Sequence, residues 1–350
     1  MIKKQDEQEN FLSEEEREQE AYRAKIRKSR KKKTWITLSI AVLFVAFVVS
    51  FNLLSNGSSG GLFGGKLAVI DISGEITDQT ETYNQEWMVG QIEDLTEQSS
   101  NRALVLRINT PGGGVDQTEE VYRALTEYKE KTGRPVYVYG SGQLCSGGYY
   151  IAAAADEIYV DQNCWVGSIG VIMNTVYDVS ELLDKLGIKA TVIASGPNKA
   201  MGSAVLPLTD EQKDILQGLI EDSYGRFVSA VSDGRGMKTE TVRRLADGRI
   251  YTAEQSLSNG LIDGVMTEDE FLDHILSLEG LSETDVKYYE LPDSYKLSTG
   301  LFEAESGEKE DEAASEAATS EEAFYASLLR EIEEQNEEGL SISYLSPIRK

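Results

Sequence analysis

The chain of 350 residues contains one histidine, two cysteines, six prolines and three tryptophans. Each scarcity removes a class of chemistry. With His274 alone, any serine–histidine–aspartate triad must pass through that residue. It sits in Phe271-Leu272-Asp273-His274-Ile275-Leu276, which reads as an ordinary amphipathic helix. Two cysteines, Cys145 and Cys164, imply no disulfide framework and read as small buried hydrophobes. Basic residues are outnumbered, 34 Lys and Arg against 60 Asp and Glu, for a formal net charge of −26. A nucleic-acid-binding face needs the opposite balance, so no nucleic-acid partner is expected. The Walker Gly-Lys-Ser/Thr ending and the dinucleotide G-x-G-x-x-G spacing are also missing. No cofactor or metal site is read.

What is present divides the chain. Acidic blocks lie at Asp6 to Glu20 and Glu303 to Glu338, and such blocks read as solvated tails. One long uncharged apolar run, Thr34 to Leu54, has the length of a membrane-spanning helix. Arg23, Lys25, Arg27, Lys28 and Arg30 to Lys33 precede it, and the Ser/Gly-rich stretch after it carries no charge. The positive-inside rule then predicts a cytoplasmic segment (1–33), a transmembrane helix (34–54), a linker (55–65) and an extracytoplasmic remainder. A cleaved secretory signal is the alternative. The length of the run and its late basic flank favour a retained anchor.

From 66 to 297 strand and helix patterns alternate, which predicts an α/β domain with a largely parallel sheet. Strands are expected at Leu67–Ile72, Ala103–Ile108, Pro135–Tyr139, Glu157–Val160 and Ala190–Ala194. Helices are expected at Asp116–Lys131, Val179–Leu186, Asp210–Ser232 and Glu268–Leu278. Residues 298–350 form an acidic tail, expected to be largely disordered, with an amphipathic helical stretch at Ala323–Gln335.

Ser146, in Leu144-Cys145-Ser146-Gly147-Gly148-Tyr149-Tyr150, follows a strand and opens a run of helix formers. A serine there sits among free helix N–H groups. As a nucleophile it needs a base, and a lysine serves in place of histidine. Lys199 lies in the turn-rich, uncharged stretch Ser195-Gly196-Pro197-Asn198-Lys199-Ala200-Met201-Gly202. To accept a proton it must be neutral, which requires a dry setting. Ser168, in Val166-Gly167-Ser168-Ile169-Gly170, is a candidate to orient the amine. The Gly147 backbone N–H is one candidate oxyanion donor. The turn Pro111-Gly112-Gly113-Gly114 supplies the second, from Gly113 or Gly112. Taken singly, these are also a helix cap, a surface lysine and plain turns. Cys145 is a rival nucleophile.

Together, Asn109-Thr110-Pro111-Gly112-Gly113-Gly114, Cys145-Ser146-Gly147-Gly148-Tyr149-Tyr150-Ile151-Ala152, Val166-Gly167-Ser168-Ile169-Gly170-Val171 and the Lys199 loop resemble the signal peptide peptidase SppA family over roughly residues 66–273. The resemblance implies a crotonase/Clp-protease-like spiral of ββα units carrying a Ser-Lys serine protease. Ser146 would be the nucleophile, Lys199 the base and Ser168 the lysine-orienting residue. Gly113 and Gly147 would form the oxyanion hole. The implied substrates are signal peptide remnants and other hydrophobic peptides at the outer face of the membrane. One catalytic half per chain implies a homo-oligomeric ring. Cys145 departs from the small alanine-like residue expected there. Two other classes are open: a catalytically silent scaffold or binding protein on the same fold, and a crotonase-type acyl-CoA enzyme, which an extracytoplasmic location disfavours.

The short linker and the uncharged motif loops predict extended apolar substrates with a small residue at the cut. The tail itself ends in Ser341-Ile342-Ser343-Tyr344-Leu345-Ser346-Pro347-Ile348, alternating small and large residues. A coil of about fifty residues spans roughly 40 Å, enough to reach a cleft. Two readings stand: a disordered tail with an apolar end, or a strand laid in the active site with a serine at the cut. Substituting Ser146→Ala or Lys199→Ala is expected to abolish peptide hydrolysis by a folded protein, and His274→Ala to leave it intact. Peptide digestion by the three variants checks this.

Overall fold

The computed structural model describes residues 65–296 and, within the tail, the backbone of 342–345. The expected cytoplasmic segment, spanning helix, most of the linker, and the helical stretch at Ala323–Gln335 lie outside the described residues. No helix among the described residues is long and apolar enough to cross a membrane.

The eleven strands run as β1 (Lys66–Ser73), β2 (Asn101–Thr110), β3 (Gly112–Gly114), β4 (Val136–Cys145), β5 (Glu157–Val160), β6 (Trp165–Gly167), β7 (Ile172–Met173), β8 (Ile250–Tyr251), β9 (Gly264–Val265), β10 (Val286–Tyr289) and β11 (Ile342–Leu345) among the described residues. The helices are α1 (Gln85–Glu97), α2 (Val115–Thr132), α3 (Gly147–Ala152), α4 (Ser180–Lys185), α5 (Asp210–Gly234), α6 (Thr239–Leu245), α7 (Ala253–Asn259) and α8 (Glu268–Glu279). The main sheet has the order β10-β1-β2-β4-β5-β9, with β6 branching from the end of β4 and β8 pairing β6. Every pair except β6–β8 is parallel. The domain is therefore α/β, as the alternation of patterns predicts.

The central strands are apolar throughout because both faces are covered, as in parallel sheets generally. Their side chains alternate between two cores. Ile70, Ile72, Leu104, Leu106, Ile108 and Val138 face a large core with α1, α2, α3 and α5, which contribute Ile92, Leu125, Ile151 and Phe227. Leu67, Val69, Val105, Tyr137 and Tyr139 face a smaller one closed by Phe271, Ile275 and Leu276 of α8. The Tyr137 hydroxyl donates to Glu279 and that of Tyr139 to the Met266 carbonyl.

Helix starts are well specified. Thr209, Thr252 and Thr267 each form a reciprocal capping box with Gln212, Gln255 and Glu270. α2 ends at Gly133 in the left-handed region, φ 66°. Helix α1 has no counterpart among the sequence expectations. Conversely, the strand expected at Ala190–Ala194 is absent, and those residues are irregular and exposed, Ile193 to 95 %. A β-branched run becomes a strand only when an edge pairs with it, and none of the described strands pairs with these residues.

Phe271 is buried against Tyr139 and Tyr159, with ring centroids 5.2 and 5.7 Å away. Phe271→Ala is expected to destabilise the domain by about 3–5 kcal/mol. Urea unfolding checks this as a lower midpoint at unchanged slope.

Candidate active site

The site forms where β4 and β6 end side by side. Their parallel register sets Cys145 opposite Gly167, so Ser146 and Ser168 emerge as neighbours. The Ser146 N–H donates to the Gly167 carbonyl at 2.7 Å, and the Ser168 N–H to Arg249 O at 2.8 Å. These are the two non-glycine residues with positive φ among the described residues, 52° and 48°. Such backbone costs of order 1–3 kcal/mol per residue and persists where the surroundings impose it, often at functional sites. Here it turns the chain from β4 directly into α3, and the Tyr150 N–H closes the first turn on the Ser146 carbonyl at 2.9 Å.

Glycines let a second backbone approach. The loop after β2 is fixed by Asn109, whose Oδ1 accepts from Gln143 N at 3.1 Å, and by Thr110, whose Oγ1 accepts from Gly112 N at 3.0 Å. Gly113 then passes so close to Ile76 that a Cβ there would lie 1.9 Å from the Ile76 carbonyl oxygen. A Cβ on Gly147 would lie 3.3 Å from the Gly113 nitrogen. Gly147 opens α3, where N–H groups lack intrahelical acceptors. The two candidate oxyanion donors thus converge beside Ser146.

Among the described residues, three buried side-chain atoms have no hydrogen-bond partner: Ser146 Oγ, Thr118 Oγ1 and Gln143 Oε1. Thr118, from the first turn of α2, reaches the site, its hydroxyl 2.7 Å from the Cβ position of Gly147. It escaped sequence reasoning because a threonine early in a helix carries no distinctive signal. Only the packing of α2 on α3 reveals it.

Lys199 stands apart. It lies exposed on a turn whose backbone bonds are local, Lys199 N to Gly196 O at 3.2 Å, anchored by Gln212 Nε2 to Pro197 O at 3.0 Å. No hydrogen bond joins it to Ser146 or Ser168 among the described residues. His274 is equally remote from Ser146. It packs on Tyr159 and Glu157 through α8, in the smaller core's layer, whereas α3 belongs to the larger. Cys145 and Cys164 are buried and not in a disulfide. The Cys145 thiol donates to the Trp165 carbonyl at 3.4 Å, and burial pushes the Cys164 thiol up to about 12. Neither environment activates a thiol. No cluster of metal-ligating side chains exists among the described residues.

A cavity of about 380 Å³ opens beside Ser168, between Ile172, Ile220 and Tyr224, with Glu221 and Asp247 in its wall. Next to it, β11 lies between β3 and β7 in a small antiparallel sheet. Tyr344 pairs with Gly113, and Ser343 with Gly114 and Ile172.

The family pattern for peptidase family S49 matches residues 128–282, and that for Clp protease matches 66–164. A Synechocystis protein named as protease slr0021 is 37% identical over 232 residues, 66% of this chain and 81% of that protein. An Enterococcus faecium protein named as a signal peptide peptidase SppA is 32% identical over 231 residues, 64% of this chain and 67% of the relative. Protease 4 of Salmonella typhi is 32% identical over 230 residues, but the chain spans only 37% of its length.

Gly113→Ala is expected to displace the loop from Ile76 and lower the rate of peptide hydrolysis by about 10²–10³, the usual effect of losing an oxyanion donor. Kinetics compared with circular dichroism of the same variant separates a lost donor from a lost fold.

Proposed function

Because the chain belongs to peptidase family S49 and is a protease of the SppA kind, we propose that it is a membrane-anchored serine endopeptidase with a Ser-Lys dyad. In this reading Ser146 is the nucleophile, Lys199 the general base and Ser168 the residue that orients the amine. The backbone N–H groups of Gly113 and Gly147 receive the oxyanion. The observation that carries it is the buried, unpartnered Ser146 hydroxyl at a strained turn, with two N–H donors beside it and no histidine within reach.

The base comes from a second copy of the chain. Among the described residues of one chain, Ser146 has no base beside it and Lys199 no side-chain partner, so each holds half of what the other lacks. The arm that carries Lys199 exposes Leu186, Ile188, Val192, Ile193 and Leu206. That is more aliphatic surface than a free arm of this length leaves in water, and it suits a contact between copies. The cavity beside Ser168 offers the neighbour's lysine a partly apolar seat next to that serine. A ring of copies, each giving its lysine to the next serine, satisfies all of these features.

Attack by Ser146 Oγ on a peptide carbonyl passes the hydroxyl proton to the neutral lysine. The oxyanion is held by Gly113 and Gly147. The lysine then protonates the departing amine, and water repeats the sequence on the ester. The substrates are extended hydrophobic peptides such as cleaved signal peptides. The anchor at 34–54 and the short linker after it would hold the site near the outer face of the membrane.

Two measurements test this. Mixing inactive Ser146→Ala and Lys199→Ala chains and letting them exchange subunits should restore roughly a quarter of wild-type activity, the share of random neighbours that pair an intact serine with an intact lysine. No recovery, with exchange demonstrated, contradicts the shared dyad. Turnover should also rise from acid to alkaline pH, since the base must shed its proton first. An optimum near pH 5 excludes a lysine base.

A further inference from the structure

Thr118, in the first turn of α2, is fully buried, and its hydroxyl has no hydrogen-bond partner among the described residues. A threonine inside a helix ordinarily turns its hydroxyl back onto a carbonyl one turn earlier. Thr96, Thr126 and Thr132 all do so, donating to the carbonyls of Ile92, Tyr122 and Tyr128 at 3.0, 2.9 and 2.6 Å. Thr118 has the same option in the Gly114 carbonyl and leaves it unused. A buried hydroxyl without a partner costs stability, so this orientation has a cause other than the stability of the helix.

The surroundings supply that cause. Side chains on a helix lean toward its N-terminus, which carries Thr118 toward the Gly112–Gly114 turn that leads into α2. A Cβ on Gly147 would meet Thr118 Oγ1 at 2.7 Å, Gly113 N at 3.3 Å and Gly112 Cα at 3.4 Å. The hydroxyl and the Gly113 nitrogen thus flank one point, directly against the first residue of α3. Donors that share one oxygen each stand about 2.9 Å from it, and flanking atoms this close fit that arrangement. The residue before Gly147 is Ser146, whose own hydroxyl also lacks a partner.

We infer that Thr118 is a third donor of the oxyanion hole: its hydroxyl hydrogen-bonds the charged oxygen of the tetrahedral intermediate, beside the N–H groups of Gly113 and Gly147. This rests on the reading of Ser146 as the nucleophile and of those two glycines as donors. Attack by Ser146 turns a neutral carbonyl oxygen into an alkoxide. A hydrogen bond in a buried site strengthens as that charge develops. The contribution is therefore made in the transition state and falls on kcat rather than KM. Of the three donors, Thr118 is the one that a substitution deletes without altering the backbone.

The test uses the full-length chain in detergent as wild type, Thr118→Val and Thr118→Ser. Valine keeps the shape and removes the hydroxyl, whereas serine keeps the hydroxyl. With an apolar fluorogenic peptide, Thr118→Val should lower kcat roughly 10- to 100-fold, as for one hydrogen bond to a charged oxygen, and leave KM within about twofold. Thr118→Ser should recover kcat to within about threefold of wild type. A peptide aldehyde of the same sequence adds to the serine as a tetrahedral mimic, and its Ki should weaken in Thr118→Val by the same factor as kcat. The melting temperature of Thr118→Val should equal or exceed that of wild type, because the partnerless hydroxyl is gone. A wild-type kcat in Thr118→Val, an equal loss in Thr118→Ser, a change confined to KM, an unchanged aldehyde Ki, or a Thr118→Val that melts below wild type or does not fold each overturns the inference. A wild type that cuts the peptide while Thr118→Val cuts it as fast overturns this inference alone. A wild type that cuts no peptide overturns the proteolytic reading with it.

Discussion

Everything at the site depends on how closely three backbones approach one another. Gly113 runs against Ile76 with no room for a Cβ, and Gly147 lies against Gly113 with little more. The rest follows from this contact. It sets two N–H groups beside one serine, and it turns one edge of β3 away from Ile76, where β11 pairs with it. The strained φ values of Ser146 and Ser168 are the accompanying cost. The fold sustains them because β4 and β6 end in fixed register within a fully buried sheet. Donors fixed in this way would need no rearrangement to stabilise negative charge, which is what the proposed reading asks of them.

The parts of this arrangement that the sequence reveals are those carried by backbone demands. Three consecutive glycines after a β-rich run, and a Ser-Gly-Gly turn between a strand and a helix, mark close approaches that other residues cannot make. The central strands show through as well, because burial on both faces leaves them uniformly apolar. Helix α1 hides because only Met88, Ile92 and Leu95 of its hydrophobic residues are fully buried, too thin a stripe to stand out beside Trp87 and Val89. Ala190–Ala194 misleads for the opposite reason. Its β-branched composition is real, but it belongs to an exposed arm rather than to a sheet.

A similar distinction separates the serine from the lysine. Ser146 is placed by local geometry, which a motif encodes within a few residues. Lys199 is placed by an arm whose fold in one chain leaves it in solvent. The shortage of histidine makes it a candidate base but says nothing of its position, because a lysine's usefulness as a base depends on what surrounds it. Under the proposed reading, in which the dyad is divided between copies, a single chain apart from its neighbours would lack a base, and activity would be tied to assembly.

A strand of the tail occupies the edges that this geometry leaves open. The cleft has two edges, Gly112–Gly114 and Ile172–Met173, both belonging to the domain and both open to main-chain pairing. An exposed pair of strand edges attracts any extended segment, including unwanted ones. Covering it with a strand of the same chain satisfies those groups while keeping the edges in the spacing that a substrate needs. Main-chain pairing is indifferent to sequence, so such edges accept any segment that can lie extended between them.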